Sequence, residues 1–286
     1  MSARVARRCA AVVIGLCCGL QTPAWGGPLA LRVGLIPFAP ATEMVQRYGA
    51  MADHLTTGLD LGVTIVGAPD YAEFIRRMLA EEYEVVLVAP HVALLGMREG
   101  RWRPLVRVQR EHHPVVIVPR NSTLRTLAHL RGRTVATPDR LALVTLVFEA
   151  EAGRQPRLVP GRDLTVLHTT THENVVLLVS RGLADAGVTV PAQLERMPGR
   201  TRAQLRVLHA FPIRFELVYM ASSRLNERLR ESIRAELMRL PRQRKGRSDL
   251  PGPGIAAHGP LDEDGLRRYA ALLPLLQARL QEASVP

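Results

Sequence analysis

The feature that most constrains this chain is an order of elements that occurs twice. From residue 31, LRVGLIPF reads as a strand ended by a proline. Residues 42–58 then place Met44, Val45, Tyr48, Met51, Ala52 and Leu55 on one helical face, with Thr42 as the expected cap. VTIV at 63–66 is the next strand, 71–82 a short helix, and EVVLVA at 84–89 a continuous apolar run suited to a strand buried on both faces. A helix over 91–98 and strands at 103–109 and 114–119 complete the first set. The second set has strands at 133–137, 164–168 and 184–190, each followed by a helix (140–152, 172–181, 191–197), then strands at 205–211 and 215–221. Helices over 224–240 and 263–282 close the chain. No sequence repeat accompanies the repeated order. Alternating strands and helices predict an α/β protein, with mostly parallel sheets covered by helices.

In such sheets a ligand sits beyond the carboxyl ends of the strands. That rule singles out Pro37 and Phe38, Asp70 and Tyr71, Pro90 and His91, Thr137 to Arg140, and Thr169 to Asn174. The last group is TTTHEN, more hydrogen-bonding side chains than one helix tip requires. Thr170 with Glu173 fits a capping box. Thr171, His172 and Asn174 are then left on a first turn whose free N–H groups favour an anion. Arg140 supplies a charge able to grip a carboxylate or phosphate with two hydrogen bonds. Phe38 supplies a wall for an organic ligand, and His91 either lines the cleft or caps its helix.

The N-terminus bounds the compartment. Arg4, Arg7 and Arg8 precede the apolar run CAAVVIGLCCGL at 9–20, and Pro23-Ala24-Trp25-Gly26 offers small residues for cleavage before Gly27. This is the pattern of a secretory signal over residues 1–26; a retained anchor is the alternative, although a span needs roughly 20 residues. Cys9, Cys17 and Cys18 all fall inside it, so the remaining chain has no disulfide, thiol nucleophile or cysteine metal ligand. The net charge of +12 is almost entirely arginine, with Lys245 the sole lysine. An exported basic chain meets anionic small molecules or lipids rather than nucleic acid. The dense cluster Arg239, Arg242, Arg244, Lys245 and Arg247 reads as a surface loop running into PGPG. No G-x-S-x-G, G-x-x-x-x-G-K-S/T or H-E-x-x-H motif is present, His112 and His113 are adjacent and poorly disposed for one metal, and no enzyme, cofactor or metal is expected.

Several segments together carry a resemblance. LRVGLIPFAP, APDYAEFIRRM, VVLVAPHVALL, VIVPRNSTLRTLAHLRGRTVAT and THENVVLLVSRGLADAGV occur in that order over roughly residues 31–220. They resemble the periplasmic phosphonate-binding proteins of ABC importers, within the type II periplasmic binding fold. The resemblance implies two α/β lobes joined by two hinge crossings. The first lobe would comprise residues 27–118, the second 119–213, and 214–286 would return to the first. It implies an interlobe cleft holding a small anionic ligand, with Tyr71 and His172 facing it, and a membrane permease as partner. A sensor feeding a membrane histidine kinase is the other expectation for such a fold. A periplasmic monomer is expected. One turn departs from the family. Where the family carries a Ser/Thr-rich, glycine-ended turn that grips phosphonate oxygens, this chain reads Thr137-Pro138-Asp139-Arg140-Leu141-Ala142-Leu143. The aspartate would repel a dianion and the arginine attract one. The ligand-lining residues expected are Phe38, Tyr71, His91, Thr137, Arg140, Thr171, His172 and Asn174.

Overall fold

Residue order becomes two sheets in the computed structural model, which describes residues 30–154, 157–240 and 258–283. The first half gives β1 (Leu31–Leu35), α1 (Ala41–Leu59), β2 (Val63–Val66), α2 (Tyr71–Leu79), β3 (Val85–Val88), α3 (Pro90–Arg98), β4 (Trp102–Val108) and β5 (Val115–Pro119). The second gives β6 (Thr134–Thr137), α4 (Leu143–Arg154), β7 (Thr165–His168), α5 (His172–Ser180), β8 (Ala186–Thr189), α6 (Pro191–Arg196), α7 (Gly199–Ala203), β9 (Leu205–Ala210) and β10 (Val218–Ser222). The chain closes with α8 (Glu227–Arg239), β11 (His258–Gly259), α9 (Glu263–Leu266) and α10 (Leu273–Ala283). The expected signal segment and most of the basic cluster lie outside the described residues. Arg239 lies inside them and pairs with Glu236.

Strand order is β11-β4-β10-β3-β1-β2 in one sheet and β7-β6-β8-β5-β9 in the other. The two share a plan. A parallel trio (β2-β1-β3, β7-β6-β8) is followed by an antiparallel strand that has crossed from the other half, then by the strand that precedes a crossing. The sheets are therefore mixed rather than mostly parallel.

β5 pairs with β8 and β9, so Val115–Val118 belong to the second sheet although the sequence reading placed them in the first lobe. An apolar run such as VVIV looks the same whichever sheet it enters. The crossing lies just before it, where His112 N–H donates to Phe215 O (2.8 Å) and Phe215 N–H donates to His112 O (2.9 Å). The outgoing and returning segments are thus hydrogen-bonded to each other at the hinge.

Burial explains the element types. All four side chains of β3 are inaccessible, which suits a strand covered by helices on both faces. Each such side chain contributes roughly 1.5–3 kcal/mol on burial. Leu143 to Phe148 of α4 are buried around nearly the whole helix, because α4 lies in the core cluster that both sheets share. α4 starts three residues later than expected. Asp139 Oδ1 accepts from Leu141 N–H (2.8 Å) and Asp139 O from the Thr145 hydroxyl (2.9 Å), which holds 139–142 as a turn. The expected C-terminal helix is broken into α9, a 3-10 turn over 267–272, and α10. Pro274 cannot donate within a continuous helix but fits the first turn of a new one. α10 reaches the second lobe: Arg279 pairs with Glu149 (3.2 Å) and Glu282 with Arg140 (2.7 Å).

His91 ties α3 to the turn before α4. It is fully buried, and its Nε2 lies 2.9 Å from Leu141 O. Burial pushes its pKa down to about 4, only partly offset by that hydrogen bond. An unfolded chain takes up this proton near pH 6.5. The neutral ring's contribution is therefore full above pH 6.5 and is lost as pH falls towards 4. Between pH 7 and 4.5 the protein should lose about 2–3 kcal/mol through this residue alone. Urea titrations at both pH values check it: His91→Gln should show a smaller pH-dependent loss, and an equal loss in both proteins would refute the assignment.

Candidate functional site

A cavity of about 110 Å³ lies between the lobes, at the strand ends where the topology places it. That space holds several waters or a small organic molecule. The first lobe provides Ile36 and Phe38 after β1, Arg47 and Tyr48 from α1, and Tyr71 at the tip of α2. The crossing provides Arg110, His112 and Phe215. The second lobe provides Ala142 to Val144, His172 at the tip of α5, and Gln193 and Arg196 from α6.

Local chemistry sets each position. Asp70 accepts from Glu73 N–H (2.8 Å) and starts α2, which leaves Tyr71 on its first turn, 5% exposed. Thr171 accepts from Asn174 N–H (3.2 Å) and starts α5. The cap is therefore Thr171, one residue later than the capping box expected at Thr170, and Thr170 instead accepts from the Asn174 side chain (3.2 Å). His172 then occupies the first turn, with Nδ1 3.3 Å from the Thr189 hydroxyl on β8.

Of the eight residues expected at the site, Phe38, Tyr71 and His172 line the cavity. The other five do not. His91 is buried against Leu141 O. Thr137 is fully buried, with its hydroxyl bonded to Pro138 O (3.1 Å) and 2.8 Å from His168 Nδ1. Arg140 is neutralised by Glu282. Thr171 spends its hydroxyl on the cap, and Asn174 is exposed beside Thr170. The departing turn is occupied by internal bonds. Burial raises the Asp139 pKa, against the backbone amides of Leu141 and Tyr71 that stabilise its carboxylate.

The charge comes from residues the sequence reading passed over. Arg47 is 8% exposed, pairs with Glu43, and has a buried Nε without a partner. Arg47 sits three residues after Met44 and one before Tyr48, squarely on the apolar face of α1. An arginine on such a stripe was the available signal. Arg196 also has a buried Nε without a partner, and among the described residues neither Arg196 nor Arg110 has an acid partner within salt-bridge distance. Burial lowers the Arg196 pKa to about 10, and repulsion from Arg47 and Arg110 adds to the shift. The same charges reach the histidines. Burial takes His172 down to about 3, with His112 and Arg196 adding to it. Burial takes His112 to about 4, helped by Arg110 and Arg196. Both rings are neutral at pH 7. The cavity thus presents three guanidinium groups, one of them matched by Glu43, to whatever enters it.

Residues 33–265 match the family of ABC transporter phosphonate periplasmic substrate-binding proteins, which is most of the chain. The chain belongs to this phosphonate-binding family. Solved structures share the fold at low identity. A binding-protein component of an ABC phosphonate transporter from Pseudomonas aeruginosa is 15% identical, with 90% of this chain and 89% of that one covered and a TM-score of 0.77. PhnD1 from Prochlorococcus marinus, solved with methylphosphonate, is 14% identical, with 88% and 99% covered and a TM-score of 0.76. A Xanthomonas citri protein bound to chloride is 21% identical, with 89% and 99% covered and a TM-score of 0.69. The phosphonate-binding family is one of periplasmic solute-binding proteins, not of enzymes. Among the described residues no group of His, Asp or Glu is placed to hold a metal, and no helix is long and apolar enough to cross a membrane.

Proposed function

We propose that this member of the phosphonate-binding family captures a small anionic ligand, a phosphonate or related oxyanion, between its lobes and delivers it to an ABC permease. The observation that carries the reading is the convergence of Arg47, Arg110 and Arg196 on one cavity from the first lobe, the crossing and the second lobe. An anion held by all three bridges both lobes and the hinge, so it stabilises the closed form over the open one by its differential contacts. Guanidinium groups with unpaired N–H donors, as at the buried Nε of Arg47 and of Arg196, favour planar or tetrahedral oxyanions that accept several bonds at once. Family membership and the methylphosphonate bound in PhnD1 point to the same ligand class.

Calorimetric titration of the purified protein with methyl-, ethyl- and propylphosphonate, phosphate and acetate tests the capture step. At least one oxyanion is expected to bind with a Kd near or below micromolar, about −8 kcal/mol. Addition of the loaded protein to proteoliposomes holding the permease and its ATPase should then raise ATP hydrolysis. Absence of heat with every oxyanion would overturn the reading.

A further inference from the structure

The lobes also meet away from the cavity. One short stretch of the second lobe, residues 139–149, is held by three separate elements of the rest of the chain. From α3, His91 Nε2 lies 2.9 Å from Leu141 O. At the start of α2, the Tyr71 amide stabilises the Asp139 carboxylate. From α10, Glu282 accepts from Arg140 (2.7 Å) and from Arg279 (3.1 Å), and Arg279 also donates to Glu149 (3.2 Å). Apolar contacts accompany the polar ones. Leu141, Ala142 and Leu143 are at most 3% exposed, and they share one buried cluster with Tyr71 and Val92 of the first lobe and Leu276 of α10.

α10 arrives there as the end of a strap. β11 pairs with β4 in the first sheet. The 3-10 turn further on is tied to the crossing, where the Tyr269 hydroxyl donates to Arg214 O (2.5 Å). α10 then ends on the second lobe at Arg140 and Glu149. Residues 258–283 thus touch the first sheet, the crossing and the second lobe in that order. All of these contacts are made by the chain's own groups. A rotation of the second lobe away from α2, α3 and α10 would break the polar ones together. It would also unpair Glu149, whose side chain is 6% exposed, and bring water onto the Leu141–Leu143 turn. A closed state favoured by such contacts is populated before any ligand binds, and a ligand only adds to it.

We propose that residues 139–149 and the strap ending in α10 form a clasp that holds the lobes closed before a ligand arrives, so that entry to the cavity waits on its release. The turn that departs from the family pattern is thereby committed to the other lobe. The clasp goes beyond the anion reading of the cavity and is measured without a ligand.

Small-angle scattering and hydrogen exchange on the purified protein test it. The variants are Glu282→Ala, at a half-exposed position, and the double substitution Glu149→Gln with Arg279→Gln, which removes a pair without leaving either charge unmatched. Alone in solution, the wild-type protein is expected to scatter as the closed form. Both variants, shown to be folded by circular dichroism, are expected to have a larger radius of gyration. Their amides over 139–149 should exchange about tenfold faster than in the wild type. A wild-type protein that is expanded alone and contracts with methylphosphonate would overturn the clasp and leave capture by closure standing. Variants with the wild-type radius and exchange rates would overturn it too, whether or not methylphosphonate binds.

Discussion

Arg196→Gln is expected to make the ligand-free protein more stable and to weaken its binding of anions sharply. The two effects have one cause. Arg196 carries a buried Nε without a partner, has no acid within salt-bridge distance among the described residues, and is depressed to about 10 by burial and by Arg47 and Arg110. A cation whose folded pKa lies below its unfolded value destabilises the fold at every pH below the folded one, here throughout the physiological range. Its removal should return roughly 1–3 kcal/mol, a rise of several degrees in Tm for a chain of this size. The same removal takes away one of the three guanidinium groups that line the cavity. A lost charge-assisted bond, with the ligand's oxygens left short of a partner, should weaken binding about 10- to 100-fold. Differential scanning calorimetry and titration on one preparation read both. A lower Tm would mean that Arg196 is held by a partner after all, and an unchanged Kd would sink the anion site.

Gly187→Val should lower Tm by about 5–10 °C and disturb the cavity from behind. A Cβ at this position would come 2.6 Å from Val175 Cγ1 and 2.8 Å from Val179 Cγ2, well inside van der Waals contact. Both neighbours are fully buried on α5, and Gly187 lies on β8 inside the second sheet, so the helix must move away from the strand. Overpacking of this kind costs about 1–3 kcal/mol, and a domain of this size shifts by about 2–4 °C per kcal/mol. The movement is transmitted to the site, because α5 carries His172 at its tip and β8 carries Thr189, its hydrogen-bonding neighbour. Anion affinity should fall with stability. Gly153→Ala on α4 is the control, since nothing lies within 4 Å of its Cβ position. A thermal shift of Gly187→Val no larger than the control's would show that α5 and β8 are not closely packed.

Most of the fold was legible because its signals are local. The alternation of VTIV, YAEFIRRM and EVVLVA reports periodicity and burial within a few residues, and the elements fall within a few residues of the expected places. The rule that ligands sit at strand ends was enough to put Phe38, Tyr71 and His172 on the cavity wall. Arg47 was legible too, as a charge on the apolar stripe of α1, and went unread. The capping box at Thr170 was a near miss, because three consecutive threonines offer equivalent caps and only the path of the chain selects Thr171.

What the tertiary structure alone decided is pairing. β5 has the composition of a core strand in either lobe, and its partners β8 and β9 lie far along the chain. Arg140 and Arg196 cannot be told apart by their neighbours in sequence. One meets Glu282, a residue 142 positions away, and becomes a strut between α10 and the second lobe. The other meets no acid among the described residues and stands free at the cavity. A charge is left available at the cavity through the absence of a counter-charge within reach, and that absence is a property of distances that only the folded chain sets.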